Sequence, residues 1–411
     1  MDSKLFTPYT VGPLTLRNRI IRSAAFEGMC PGNHPSKELY DYHTAVAKGG
    51  VGMTTVAYAA VCRSGLSFER QLLMRDEIIP ELRHLTDGIH AAGAKASIQL
   101  GHCGNMSHRS ICGCTPYGAS NGVNLYAYTL VRRMDEKQIF EVADAYGNAV
   151  RIARESGFDA VEVHAGHGYL ISQFLSPFTN RRHDKYGGTL GNRMRFMDMC
   201  MKNVVEAAEG KVAIFVKTNM RDGFRGGIEV PECIDVARRL EEDGAQALVL
   251  TGGFVSRAPM YVMRGDFPVK AITHYMPSRQ WFLKAGVNMF GKMLAPTEKF
   301  RENYFLPLSE QFLGKVSIPL VYVGGAVSRK GIDQLLEKGF PLIEMARPLV
   351  RDTDFVMKLK NGDDTVCSTC EHTNFCIGRM YNLSMQCYRH CEDITPALTR
   401  AAEKSAAWQR P

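Results

Sequence analysis

Eight times along this chain a short apolar or β-branched run is followed by an amphipathic segment, and that alternation limits its possible folds more than any other feature. The runs are RIIRS (19–23), VGMTTVA (51–57), ASIQL (96–100), DAVEVHA (159–165), AIFVKT (213–218), ALVLTGG (247–253), PLVYVGG (319–325) and LIEMA (342–346). Each is apolar on both faces and bounded by Gly or polar residues, as strands buried in a parallel sheet are. Between them, 135–157, 229–245 and 328–340 carry apolar residues three and four apart, and Asp135 stands where it can cap the first of these helices. Eight strand-then-helix units predict an α/β fold of the (β/α)8 TIM-barrel type. A doubly wound open sheet is the alternative, but its Gly-rich dinucleotide fingerprint is missing.

Composition agrees with a globular enzyme. The chain has 411 residues, 45% hydrophobic and 22% charged, enough apolar material for one large barrel core. The formal charge of +8 is spread along the chain without a basic run, which argues against a nucleic-acid groove. No apolar stretch is long enough to span a membrane. The start, MDSKLFTPYTVGPLTL, lacks an apolar signal core, so a cytoplasmic protein is expected. In such a reducing compartment Cys30, Cys62, Cys103, Cys112, Cys114, Cys200 and Cys233 are expected as free thiols.

Two segments exceed a minimal barrel. Residues 254–294 follow the sixth strand at the end where barrels build their active face, and are expected to shape a substrate pocket. Beyond the barrel (1–360), a Cys-rich extension occupies 361–411.

Residues at the C-terminal ends of barrel strands face the active site. That rule selects Gln99 and His102 after the third strand, His164 and His167 after the fourth, and Lys217 and Asn219 after the fifth. The turns in VYVGGAVS (321–328) and IEMARPLV (343–350), with Arg347, suit a phosphate. The stretch VEVHAGHGYLISQFLSP (161–177) places His164, His167 and Tyr169 within six residues. One reading is a metal site completed by His102. The other is a pair of imidazole donors on a carbonyl oxygen, with a tyrosine hydroxyl as proton donor beside a hydride acceptor.

The segment HAGHGYLISQFLSPFTNRRHDKYGGTLGNRMRF (164–196) is very close to the signature of the Old Yellow Enzyme (NADH:flavin oxidoreductase) family. LTLRNRIIRSA (15–25), GGVGM (49–53), IQLGHCG (98–104) and VGGAVS (323–328) support the resemblance in the same order, and it extends over about residues 4–360. The chain most resembles the branch containing 2,4-dienoyl-CoA reductases. The resemblance implies FMN, NAD(P)H as reductant, and a small unsaturated carbonyl compound (enone, enal or enoyl thioester) as substrate. It implies that His164 and His167 bind the carbonyl oxygen and that Tyr169 donates the proton. It assigns Gln99 to the flavin pyrimidine edge and Lys217 to the N1–C2=O region, where a cation stabilises the reduced flavin. Gly324, Gly325, Ala346 and Arg347 match the phosphate cradle; Ala24, Ala25 and the backbone near Tyr58 are expected to line the flavin.

Two departures stand out. SAAFEG puts Ala25 and Phe26 where many relatives have a Thr or Cys contacting the flavin, and Asn105 replaces a common Arg. In the dienoyl-CoA reductase branch the tail holds a four-cysteine iron–sulfur motif. Here CSTCEHTNFCIGRMYNLSMQCYRHC (367–391) aligns Cys370, Cys376 and Cys387 with it but puts Thr373 where a ligand is wanted; Cys367 or Cys391 would have to substitute. A [4Fe–4S] cluster on Cys367, Cys370, Cys376 and Cys387, a zinc site and a cluster-free tail all stay open. The related multidomain reductases continue into a flavodoxin-like, nucleotide-binding half. Without it, NAD(P)H is expected to reduce the flavin directly, or a separate protein to do so. The rival functions are a metal-dependent phosphate-binding hydrolase or lyase and an electron-transfer subunit; a homo-oligomer is left open.

Overall fold

The computed structural model describes residues 4–124, 129–276, 278, 281–295 and 297–409. Eight parallel strands close into a barrel: β1 (Ile20–Arg22), β2 (Met53–Ala60), β3 (Lys95–Gly101), β4 (Ala160–Ala165), β5 (Ala213–Asn219), β6 (Ala247–Thr251), β7 (Leu320–Val323) and β8 (Leu342–Met345). They follow one another round the barrel in chain order, with β8 pairing β1 to close it. The predicted barrel is what forms, and the open doubly wound sheet is not.

Helices α1 (Lys37–Lys48), α2 (Ile79–Ala91), α3 (Glu136–Glu155), α4 (Leu190–Ala208), α5 (Val230–Glu242), α6 (Leu306–Ser309), α7 (Arg329–Glu337) and α8 (Phe355–Asn361) alternate with the strands. Helix α3 starts in a reciprocal cap. Asp135 Oδ1 accepts from Gln138 N at 2.8 Å, and Gln138 Oε1 accepts from Asp135 N at 3.1 Å, satisfying two otherwise orphaned donors.

Side chains alternate along each strand, so parity decides which face lines the interior. Ile21, Met53, Ala160, Ala213, Phe215, Ala247, Val249, Val321 and Leu342 form an apolar floor. The hairpin Tyr9–Val11/Leu14–Leu16 closes that floor from below, with Val11, Leu14 and Leu16 buried against it. Two residues further along the same strands the interior turns polar: Ser23, Gln99, Glu162, Lys217, Thr251 and Glu344 are all buried. The barrel is therefore sealed at one end and chemically equipped at the other.

One buried ion pair fixes the segment after β1. Arg22 Nη1 lies 2.6 Å from Glu27 Oε1, and both side chains are almost fully buried. Glu27 also accepts from Ala57 N at 3.2 Å, tying the segment to β2. Glu27→Ala leaves a buried guanidinium without its counter-charge and is expected to cost about 3–5 kcal/mol. A fall in thermal midpoint, compared with a surface Glu→Ala control, checks this.

The insertion forms helices Pro259–Met263, Val269–Tyr275 and Trp281–Leu294. Ala271 and Tyr275 of the second share a small separate core with Phe375, Tyr388, Leu398 and Ala402 of the C-terminal segment. Insertion and tail thus bury each other's apolar faces beside the barrel. Among the described residues no helix is long and apolar enough to cross a membrane.

Candidate active site

At the polar end of the interior, Lys217 organises a buried network. Its Nζ lies 2.9 Å from Glu162 Oε1 and 2.9 Å from Glu344 Oε2, and donates to Ser23 Oγ at 3.2 Å. Gln99 Nε2 donates to Glu162 Oε1 at 2.6 Å, and Ser23 Oγ donates to Glu344 Oε2 at 2.7 Å. Burial would discharge Lys217, but Glu162 and Glu344 outweigh it and hold the ammonium charged. Burial, with Glu344 nearby, pushes Glu162 up to about 8, because two carboxylates cannot both ionise cheaply around one cation.

This has a measurable consequence. Between the ordinary glutamate pKa of about 4.3 and about 8, the folded protein holds a proton that the unfolded chain has released. Stability is therefore expected to fall as pH rises through that window, by up to ~1.4 kcal/mol per unit from this group. Denaturant titrations at several pH values check it, and Glu344→Gln is expected to flatten the slope.

Above this layer sit the two imidazoles. His164 ends the inward row of β4, paired in register with Lys217 of β5. His167 follows in the turn at φ 57°, an uncommon left-handed conformation for a non-glycine residue. Its environment enforces that turn. Asn219 Oδ1 accepts from His167 N at 3.0 Å, Val255 N donates to His167 O at 2.9 Å, and Thr251 Oγ1 lies 2.7 Å from Nε2. Asn219 is itself held by donating to Asp222 Oδ1 and to Gly253 O. Gly168 follows at φ 80°, where a Cβ would run into the Phe254 ring.

The rings of His164 and His167 meet edge-on at 5.0 Å between centroids, and Tyr169 lies 4.4 Å from His164. Tyr58 packs edge-on against Tyr169 at 5.0 Å, and its hydroxyl bonds to Ser67 Oγ. Burial, reinforced by His167 and Lys217, holds His164 well below the usual imidazole range. Burial and Lys217 push His167 to about 3. Both are neutral imidazoles at neutral pH. Burial pushes the Tyr169 phenol up, so it keeps its proton there.

His102 stands apart from this group. Its Nδ1 accepts from Gly104 N at 3.0 Å and its Nε2 lies 3.1 Å from Ser64 Oγ. With both nitrogens engaged it does not complete a metal triad with His164 and His167. Among the described residues no three His, Cys, Asp or Glu are arranged to hold a metal ion.

The remaining sequence-selected residues surround the barrel mouth. Ala24 and Ala25 follow β1, and Arg22 Nη2 donates to Ala25 O at 3.1 Å. Gly324 and Gly325 follow β7, while Ala346 and Arg347 follow β8. The Arg347 side chain turns toward the tail, donating to Arg264 O at 3.0 Å and Asn374 Oδ1 at 2.9 Å. Sequence reading passed over Glu344, Thr251 and Ser23. Glu344 carried a signal, an acid inside the apolar run LIEMA; Thr251 and Ser23 stand at the ends of ALVLT and RIIRS, where the strand-end rule applies.

The tail cysteines divide. Cys370, Cys376 and Cys387 line one small cavity together with Arg347, His372 and Thr373. Cys367 is exposed and bridges to Ser328, whereas Cys391 Sγ donates to Asp393 Oδ1 at 2.7 Å. Three thiols and a threonine do not make the four-thiolate set of a [4Fe–4S] cluster. The donors present do not fit that group.

Flavin is a different matter. An amide able both to donate and to accept (Gln99), a buried ammonium (Lys217) and backbone turns at the ends of two adjacent strands suit a pyrimidine edge and a phosphate. A closed barrel with that donor set at its open end is the architecture of a flavin-binding oxidoreductase.

The chain matches the model of the NADH:flavin oxidoreductase / NADH oxidase family over residues 4–276, and it belongs to that family. It is a flavin-dependent NAD(P)H oxidoreductase, with membership implying FMN. It is 36% identical over 378 residues to the 4,4'-dithiodibutanoate disulfide reductase of Rhodococcus erythropolis, covering 92% of this chain and 93% of that one. It is 38% identical over 269 residues to an NADPH dehydrogenase of Listeria welshimeri, covering 62% of this chain and 76% of the relative. Two solved structures share the fold. A 2-naphthoyl-CoA reductase superposes with a TM-score of 0.78 at 23% identity, over 97% of this chain and 58% of the other. An old yellow enzyme homologue from Zymomonas mobilis gives 0.71 at 20% identity, over 94% and 98%.

Proposed function

We propose that this oxidoreductase reduces an activated C=C bond in an enone, enal or enoyl thioester. The observation that carries the reading is the convergence of two neutral imidazoles and one protonated phenol, His164, His167 and Tyr169, above the Lys217 layer. Gln99 and Lys217 would hold the FMN pyrimidine edge; Gly324, Gly325, Ala346 and Arg347 its phosphate; and Ala24, Ala25 and the Tyr58 backbone would line the ring.

Gly166 N donates to His164 Nδ1 at 3.5 Å, which leaves the His164 Nε2–H as a donor. In the tautomer in which the Thr251 hydroxyl donates to His167 Nε2, the His167 Nδ1–H is the second donor. Both donors bind the substrate carbonyl oxygen and stabilise charge that develops there. When bound, FMN would supply the hydride chemistry toward the β-carbon, taking hydride from NAD(P)H. Tyr169 gives its hydroxyl proton to the α-carbon and is reprotonated from solvent. The polar layer under His164 keeps Lys217 charged and oriented.

A second reading has its own support. The Rhodococcus relative aligned over nearly the whole chain is a disulfide reductase, and two imidazole donors also suit a thiolate leaving group. The deciding experiment is anaerobic turnover of the FMN-loaded protein with NADH or NADPH, offering cyclohexenone, cinnamaldehyde, an enoyl thioester or dithiodibutanoate. Reduction of a C=C compound supports the proposal. Reduction of the disulfide alone overturns it in favour of the second reading.

A further inference from the structure

The loop after β3 carries a dithiol that the proposed chemistry does not use. Cys112 ends the short helix Arg109–Cys112 and is 3% exposed; Cys114 follows after one residue and is half-buried. Between them Gly113 adopts φ 77° and donates its N–H to Arg109 O at 3.0 Å. That left-handed turn suits glycine and brings both side chains to one side. The Cys114 Sγ lies 3.8 Å from the Cys112 Sγ, whose own thiol donates to Cys114 O at 3.3 Å.

We propose that Cys112 and Cys114 form a thiol–disulfide exchange site that takes small, low-molecular-weight disulfides. Their sulfurs are already in van der Waals range, and with one residue between them the chain itself keeps their backbones close, so closing the bond needs side-chain rotation rather than rearrangement of the fold. Cys114, the more exposed, attacks one sulfur of the disulfide RS–SR; that bond breaks, one RS– leaves and takes a proton, and a mixed disulfide remains on Cys114. Cys112 then attacks the Cys114 sulfur, forming the Cys112–Cys114 bond and releasing the second RSH. The protein dithiol loses two electrons and two protons, and the small disulfide gains both.

The environment sets the rate. Burial and the neighbouring Cys112 push the Cys114 thiol up to about 11. Little thiolate is present at neutral pH, and exchange is expected to accelerate about tenfold per pH unit until that value is approached. The nearby Cys62 is occupied differently, 3.1 Å from Ser64 Oγ. Tyr117, on the same loop, donates to Ser64 Oγ, which also contacts His102. Since Leu170 N donates to His102 O at 2.8 Å, the dithiol loop is linked through bonded groups to the turn that carries Tyr169.

The test uses the full-length FMN-loaded protein with oxidised glutathione under anaerobic, mildly alkaline conditions. Of the twelve cysteines, two thiols per chain are expected to be lost, with no glutathione retained. The peptide bearing positions 112 and 114 should become lighter by two hydrogens. Cys112→Ser is expected to trap glutathione on Cys114, and Cys62→Ser to behave like the parent. Flavin content confirms that each variant is folded. No thiol loss after prolonged alkaline incubation overturns the proposal. So does loss that maps to the tail cysteines, or glutathione that stays on Cys114 while Cys112 is present.

Discussion

Tyr169→Phe is expected to slow C=C reduction by about 10²–10⁴-fold, the range over which a positioned general acid contributes. Reduction of the flavin by NAD(P)H, which needs no proton from Tyr169, is expected to stay within a few-fold of the parent. The substitution removes one oxygen and keeps the ring that packs edge-on against Tyr58 at 5.0 Å, so the fold is not at stake. Rapid mixing separates the two half-reactions. Equal losses in both would deny Tyr169 its role as acid. Because burial pushes its pKa up, no loss of the acid is expected across the neutral range.

The second large effect is expected at the imidazole pair. His164→Ala removes one of two donors to the carbonyl oxygen and is expected to lower kcat/KM for an enone by about 10²–10³-fold, as loss of one oxyanion donor does elsewhere. His167→Ala should cost a similar factor. The double variant should fall short of the product of the two, since both act on one oxygen. Because both imidazoles are held neutral, activity is not expected to show an imidazole titration between pH 6 and 8, where a free histidine (~6.5) would titrate. A bell-shaped profile centred there would contradict the neutral-donor reading. Titrating ligand binding, such as that of a simple phenol, in each variant tests the donors apart from turnover.

The barrel was legible because the information is local and repeated. Each strand is a short apolar run between Gly or polar residues, and the eight predicted runs coincide with β1 to β8 within a few residues. Parity was equally legible. Glu162 lies on the face opposite Val161 and Val163, as alternation requires, and that face is the interior shared with His164. The acid inside LIEMA was visible too, but its meaning was not. Glu344 becomes part of the site only because the inward faces of β8 and β5 meet inside the closed barrel, which brings its carboxylate to Lys217, 127 positions away in sequence.

In the tail, the three cysteines that the resemblance aligned, Cys370, Cys376 and Cys387, line one cavity, while Cys367 and Cys391 lie elsewhere. Arg347 was selected for a phosphate from its place after β8; its Nη1 also donates to Arg264 O and Asn374 Oδ1, contacts with the insertion and the tail that spacing does not show. Thr251 ends the sixth strand, but that it meets His167 is visible only in the structure.

By itself, then, the sequence determined the eight-stranded barrel and the residues at the strand ends, since the strand–helix alternation depends only on near neighbours. Only the tertiary structure decided which inward groups share a proton around Lys217, which partners the His164 and His167 nitrogens meet, and where the Arg347 guanidinium turns. Those depend on contacts between segments far apart in the chain, and nothing in local patterning encodes a distance between them.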